Sequence, residues 1–219
     1  MDANGRDRMI DASSDSKTLR PRFGRVLVVL AGVVTVAVLV SLAVTGIGPL
    51  VRFGPLALLG AYVVWLLFWS PAVTIAPSGV IIRNILREHE VTWPAIERID
   101  TKYALQLYTT AGTVTAWSAP APGRHATFRV AQPELGGLPE STYAAERSVR
   151  PGDIPTSESG LAALYVRRFW EQLRDAGHLD SGVVEGTGVR THLLRRETTV
   201  LVVLIAAAGG AILEVSSMS

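Results

Sequence analysis

The side chains that could do chemistry are few and poorly placed for catalysis. The four histidines, His89, His125, His178 and His192, form neither an HExxH helix motif nor a close pair, so zinc ligation has no local support. His89 lies among acidic residues on a segment that reads as strand, which suits a solvated position. His192 stands with Arg190, Arg195 and Arg196, a set that suits the flank of a membrane segment. Glu88 and Glu90 form a close carboxylate pair, whose use in acid–base work would require a cleft around them. On one strand they share a face and read as surface. Ser157-Glu158-Ser159-Gly160 lacks the first glycine of a nucleophile elbow. Gly186-Thr187-Gly188 lacks the third glycine and the strand–helix setting of a dinucleotide fingerprint, and no phosphate loop occurs. The absence of cysteine excludes a disulfide scaffold, thiolate metal sites and cysteine nucleophiles. The expectation is a protein that is not an enzyme, with no catalytic residue, cofactor or metal. The sequence names no ligand-binding residue. A net charge of +2 leaves no nucleic-acid footprint.

The elements that would carry any binding function start in the membrane. Charged residues make up 18% of the 219 residues, against about 25% in soluble domains. Between Val26 and Ile82 the single charge is Arg52. Val26 to Ile47 is uncharged and long enough to cross the roughly 30 Å hydrocarbon core of a bilayer. It is too long, and too closely followed by a second apolar block, to read as a cleaved signal peptide. The second block runs from about Pro49 to Ser70, with Gly46, Gly48 and Pro49 as the turn signal and Pro71 as the stop. Tyr62, Trp65, Phe68 and Trp69 crowd its far end, where aromatic rings suit the headgroup zone. Residues 26–70 therefore read as a transmembrane hairpin. Thr198 to Leu213 is a third apolar run of about 24 Å as a helix, short for a bilayer; residues 198–215 are assigned to a third span, with a buried or interfacial helix as the alternative. Gly209-Gly210 and Ala206 to Ala208 give it a small-residue surface suited to close helix packing.

The basic residues set an orientation. Lys17, Arg20, Arg22 and Arg25 precede the first helix, Arg83 and Arg87 follow the second, and Arg195 and Arg196 precede the third. The hairpin turn offers only Arg52. The positive-inside rule then predicts a multi-pass plasma-membrane protein with the N-terminus and middle region in the cytoplasm and the C-terminus outside.

The middle region splits into strands, a loop and a helix. Val73-Thr74-Ile75, then Gly79 to Glu90, then Val91 to Trp93 read as successive strands, with a turn at Pro77-Ser78-Gly79. Tyr103 to Thr109 and Thr113 to Trp117 read as a hairpin around Ala111-Gly112. Arg124 to Ala131 is a candidate further strand. Proline and glycine interrupt residues 132–160, which read as a linker or mobile loop. Residues 161–177 read as an amphipathic helix with Leu161, Leu164, Tyr165, Phe169, Leu173 and Ala176 on one face. Ser157 or Ser159 caps its start and Gly177 its end, while Arg167, Arg168, Glu171 and Arg174 occupy the other faces. The stripe predicts packing on the open sheet; the alternative places Phe169 and Trp170 on the inner leaflet. Residues 1–25 are assigned to a disordered cytoplasmic tail, 72–131 to the β domain and 178–197 to a juxtamembrane segment.

The run Val73 to Trp117 resembles the small bacterial pleckstrin-homology (PH)-like domain of actinobacterial membrane proteins, the low-molecular-weight protein antigen 6 group. The matching residues are Ser78-Gly79-Val80, Arg83-Asn84-Ile85-Leu86-Arg87, Val91 and Trp93, Ile96 and Ile99, Leu105 and Leu107, and Gly112. The resemblance implies a half-open, bent antiparallel sheet with a C-terminal helix and no known catalysis. The fold class is then membrane α plus β: a transmembrane hairpin, a PH-like β domain with an amphipathic helix, and a C-terminal transmembrane helix. Phosphoinositide-binding PH domains carry bases around the first strand–strand loop, whereas Ala76-Pro77-Ser78-Gly79 has none, and Glu88 and Glu90 dilute Arg83 and Arg87. This argues against specific phosphoinositide binding. The expected partners are the bilayer and either a protein, recognised at an exposed sheet edge or the open end of the sheet, or further copies of the chain. The expected role is non-catalytic recognition at the inner face of the membrane, with a structural or accessory subunit as the alternative.

Overall fold

The computed structural model describes residues 16–121, 153–154, 157–177 and 188–217. They fall into two compact units. One holds three long apolar helices, the other two β-sheets and an amphipathic helix.

In the helical unit, α1 (Arg22–Thr45) and α2 (Ile47–Phe68) are joined by Gly46 alone. Its φ of 140° is open to glycine and strained for other residues. Gly48 and Pro49, read above as part of the turn, lie inside the first turn of α2. Proline is tolerated there because those N–H groups lack helical partners anyway. The start of α1 meets the end of α2 at backbone distance: a Cβ on Gly24 would lie 2.4 Å from the Phe68 carbonyl oxygen. The third helix, α4 (Arg195–Ser217), packs on α2, where the Tyr62 hydroxyl donates to the Glu197 carbonyl at 3.0 Å. Three helical stretches are long and apolar enough to cross a membrane: Gly24–Thr45, Ile47–Phe68 and Arg195–Leu213. The apolar run of α4 looked short because the helix extends past it at both ends, to about 35 Å in all. The small-residue surface is used differently from the expectation. Ala208 is buried, but a Cβ on Gly209 or Gly210 would meet nothing within 4 Å.

The β unit contains a five-stranded sheet in the order β1-β2-β3-β4-β8 and a three-stranded sheet in the order β5-β6-β7. The first comprises β1 (Lys17–Leu19), β2 (Ala72–Ala76), β3 (Gly79–Arg83), β4 (Arg87–Thr92) and β8 (Val189–Leu193). The second comprises β5 (Ile96–Asp100), β6 (Ala104–Thr109) and β7 (Gly112–Pro120). Alternation sends Val73, Ile75, Val80, Ile82 and Val91 from one sheet and Leu105, Leu107, Val114 and Ala116 from the other into a shared core. The β2–β3 turn requires Gly79, whose φ is 156° and whose added Cβ would sit 2.2 Å from the Val91 carbonyl. A short 3₁₀ turn, Trp93–Ala95, carries the chain from the first sheet to the second. Helix α3 (Glu158–Asp175) packs on β2, β5, β6 and β7.

Four boundaries differ from the sequence reading. Residues 1–25 are not all tail: Lys17–Leu19 pairs with β2, Thr18 opposite Thr74, and α1 begins at Arg22. Leu19 alone packs against the core, and a three-residue strand is too short a pattern to read. Gly79 to Glu90 is not one strand but the hairpin β3–β4, broken at Asn84–Leu86. There the Asn84 amide donates to Thr115 O and accepts from Trp117 N, both at 2.9 Å. Residues 178–197 are not merely juxtamembrane, because Val189–Leu193 is an edge strand and α4 starts at Arg195. The 132–160 segment ends early, with Glu158 already in α3; the candidate strand 124–131 lies outside the described residues.

Gly24→Leu should lower the thermal stability of the detergent-solubilised chain by about 2–10 °C, the cost of overpacking a closed contact. Gly32→Leu, at an open position of α1, should leave it unchanged. A thermal melt of both variants decides.

Candidate functional site

The expected helix cap is present: the Ser157 hydroxyl accepts from the Gly160 N–H at 2.9 Å, and Gly177 follows the helix with φ 72°. The buried face is shifted from the predicted stripe. Ala162, Ala163 and Val166 are innermost, and Tyr165, Phe169, Trp170 and Leu173 are partly buried around them. Small residues at the centre let the helix backbone approach the sheets. Phe169 stacks on Trp93 at 4.8 Å between ring centroids, and the Trp93 indole donates to Ala76 O at 3.1 Å. Lys17 of β1 sits 3.5 Å over the Tyr165 ring. These contacts place Phe169 in the domain rather than on a leaflet.

Arg167 departs most from expectation. Assigned above to an outer face, it is 4% exposed and donates to Asp153 Oδ1 at 2.6 Å and to Ile99 O at 3.3 Å. Asp153, also buried, accepts a further hydrogen bond from the Thr101 hydroxyl. Neither charge could stay buried alone, so each requires the other. Asp153 lay in a segment read as linker. Its only sequence signal, an acid between glycine and isoleucine before a capped helix, was too generic to use.

A cavity of ≈ 120 Å³ opens beside this network, lined by Ile96, Glu97, Arg98, Ile99, Arg167 and Trp170. One wall is β5, the free edge of its sheet among the described residues; the other is α3. The register slips between Ile96 and Arg98, a bulge of the kind found on exposed edges. Within the wall the Trp170 indole nitrogen is buried and has no hydrogen-bond partner. A buried N–H left unsatisfied is costly, and such exceptions ask for a ligand or a water. Arg98 lies 3.9 Å over the Tyr108 ring, and Arg174 5.4 Å over Trp170.

The residues singled out by type do not converge. His89 is half-buried rather than solvated, and its ring lies 2.9 Å from the Thr191 hydroxyl. His192 is exposed on β8. Glu88 stands opposite Arg83 and Glu90 opposite Ile81 across the β3–β4 pair, with Arg87 exposed. Among the described residues no three of His, Asp and Glu gather at one point. His125, His178 and Gly186-Thr187 lie outside them.

Two sheets joined by a corner turn over one core, closed by a helix, are the geometry expected from the resemblance. Residues 70–152 match the bacterial PH domain family. No curated protein and no solved structure matches the chain. The match spans β2 to β7 and stops short of Asp153. Strands β1 and β8 and helix α3 lie outside it.

Asp153→Ala should destabilise the domain by about 3–5 kcal/mol, because it strands a buried guanidinium. Asp153→Leu combined with Arg167→Met should recover most of that loss, since an apolar pair of similar volume needs no partner charge. Chemical denaturation followed by tryptophan fluorescence would show both. Equal loss in the single and double variants would mean that shape, not charge, governs the site.

Proposed function

We propose that the chain is a non-catalytic recognition module, a PH domain held at the inner face of the plasma membrane by three spanning helices. The observation that carries the reading is the groove between β5 and α3. It joins an open strand edge, a small apolar cavity and an unsatisfied indole N–H. An extended segment of a membrane protein fits these features together. Its backbone carbonyl would accept from Trp170, and one branched apolar side chain would fill the cavity, since a cavity on the order of 150 Å³ holds a benzene-sized group. Strand edges are a recurrent way to bind extended peptides. Arg167 already occupies the Ile99 carbonyl, so the segment is held by the pocket and the Glu97–Arg98 stretch rather than by a full added strand.

Two further points support recognition of protein over phosphoinositide. The turn Ala76–Gly79 brings no base, and Arg83 faces Glu88 across the β3–β4 pair. The inner-face placement rests on the basic flanks Lys17 to Arg25, Arg83 and Arg87, and Arg195 and Arg196.

Reporter fusions after Ser70 and after Gly160 should report a cytoplasmic location, and a fusion at Ser219 an outside one. A middle region found outside would move the search to envelope partners. Capture from solubilised membranes should recover a defined protein partner. Trp170→Ala and Ile99→Asp should reduce that capture at least tenfold while the fold persists. A chain that captures only itself would favour the structural, self-assembling alternative.

A further inference from the structure

A second cavity, of ≈ 570 Å³, lies along the five-stranded sheet, away from the groove between β5 and α3. Its lining includes Ser78 at the β2–β3 turn, Ile81, Glu90, Thr92, Val189 and Arg190. That volume falls in the range of small-molecule sites. Among the described lining residues the only charged ones are Glu90 and Arg190.

Local hydrogen bonds fix how these two charges meet. The Thr92 N–H donates to Gly188 O at 3.2 Å, and the Gly188 N–H donates to the Thr92 hydroxyl at 3.0 Å. Three residues along each strand, the His89 ring lies 2.9 Å from the Thr191 hydroxyl. The antiparallel count between these contacts sets Glu90 across from Arg190. Val91 points into the core, so its neighbour Glu90 points outward. Directly opposed side chains are within reach of one another. Yet no ion pair joins these two, and neither side chain makes a hydrogen bond among the described residues. The Ser78 hydroxyl is likewise without a partner there.

We infer that this cavity binds a small zwitterion, a molecule carrying an ammonium and an oxyanion. The Arg190 guanidinium and the Ser78 hydroxyl hold the oxyanion; the Glu90 carboxylate holds the ammonium. A guanidinium donates a planar fork suited to phosphate or carboxylate, and a carboxylate accepts from an ammonium. A purely anionic ligand would meet the repulsion of Glu90, and a purely cationic one that of Arg190. Only a ligand bearing both charges satisfies the pair. A direct Glu90–Arg190 contact at so open a site is weak and gives way to the ligand. The same chemistry is offered by the headgroup of an ethanolamine phospholipid and by a soluble zwitterion. This inference is independent of the protein-binding groove, because the two sites share no residue.

The test uses the full chain in nanodiscs of phosphatidylglycerol alone, titrated calorimetrically with glycerophosphoethanolamine. The expected result is saturable binding, weakened at least tenfold when the probe is glycerol phosphate or ethanolamine alone. Glu90→Gln and Arg190→Gln should each weaken it by a similar factor, with thermal unfolding showing that both variants fold. Including phosphatidylethanolamine in the nanodisc separates the sources. Competition assigns the site to the lipid headgroup, and its absence assigns it to a soluble zwitterion. The inference is overturned if no saturable binding of glycerophosphoethanolamine occurs, if the single-charge probes bind as well, or if both variants bind as the parent does.

Discussion

A half-open sheet must satisfy the backbone groups along its edges, and this domain is organised around that constraint. An unpaired strand edge in water is a template for unwanted pairing. Here the outer strands of the larger sheet are supplied by chain that runs directly into the long apolar helices, β1 into α1 and β8 into α4. The smaller sheet is closed by side chains. Asn84 uses its amide as a stand-in for a strand against Thr115 and Trp117, and Arg167 takes the Ile99 carbonyl on the opposite edge. What remains open on β5 is a short, bulged stretch beside a pocket.

The Arg167–Asp153 pair shows how one polar contact sets the position of a helix. Burying two charges costs more than their attraction returns unless further hydrogen bonds complete the site. Thr101 and Ile99 supply those bonds here, from the end of β5 and the turn after it. The pair therefore fixes the register of α3 against the second sheet more than it adds stability. The same register brings Phe169 onto Trp93 and the Trp170 indole into the wall beside β5.

The legible parts of the sequence were those with a period or a strong local rule. Three apolar runs gave the helices, and alternation through Leu105 and Leu107 gave the second sheet. Ser157 and Gly177 marked the ends of α3. The illegible parts depend on partners far along the chain. Lys17 and Leu19 make sense only once β2 lies beside them, and Thr191 only beside His89. Arg167 read as solvent-facing because nothing local announces a carboxylate fourteen residues earlier; that separation is spanned by tertiary structure. Asn84 looked like mid-strand because Ile85 and Leu86 continued an apolar pattern, while the break is imposed by the backbone of β7. The groove and the Glu90–Arg190 juxtaposition are products of pairing, and no window of sequence contains either.

The limits of the family match have a practical consequence for dissecting the protein. Residues 70–152 stop before Asp153 and omit α3, β1 and β8. A fragment cut at those limits would lose Ala162, Ala163 and Val166 from the core, uncover Trp93 and leave both margins of the larger sheet unpaired. The compact β unit is thus discontinuous in sequence. Its smallest faithful version must carry the strand ahead of the first helix and the strand ahead of the last, so in sequence the α1–α2 hairpin is inserted within it while α4 follows its last strand.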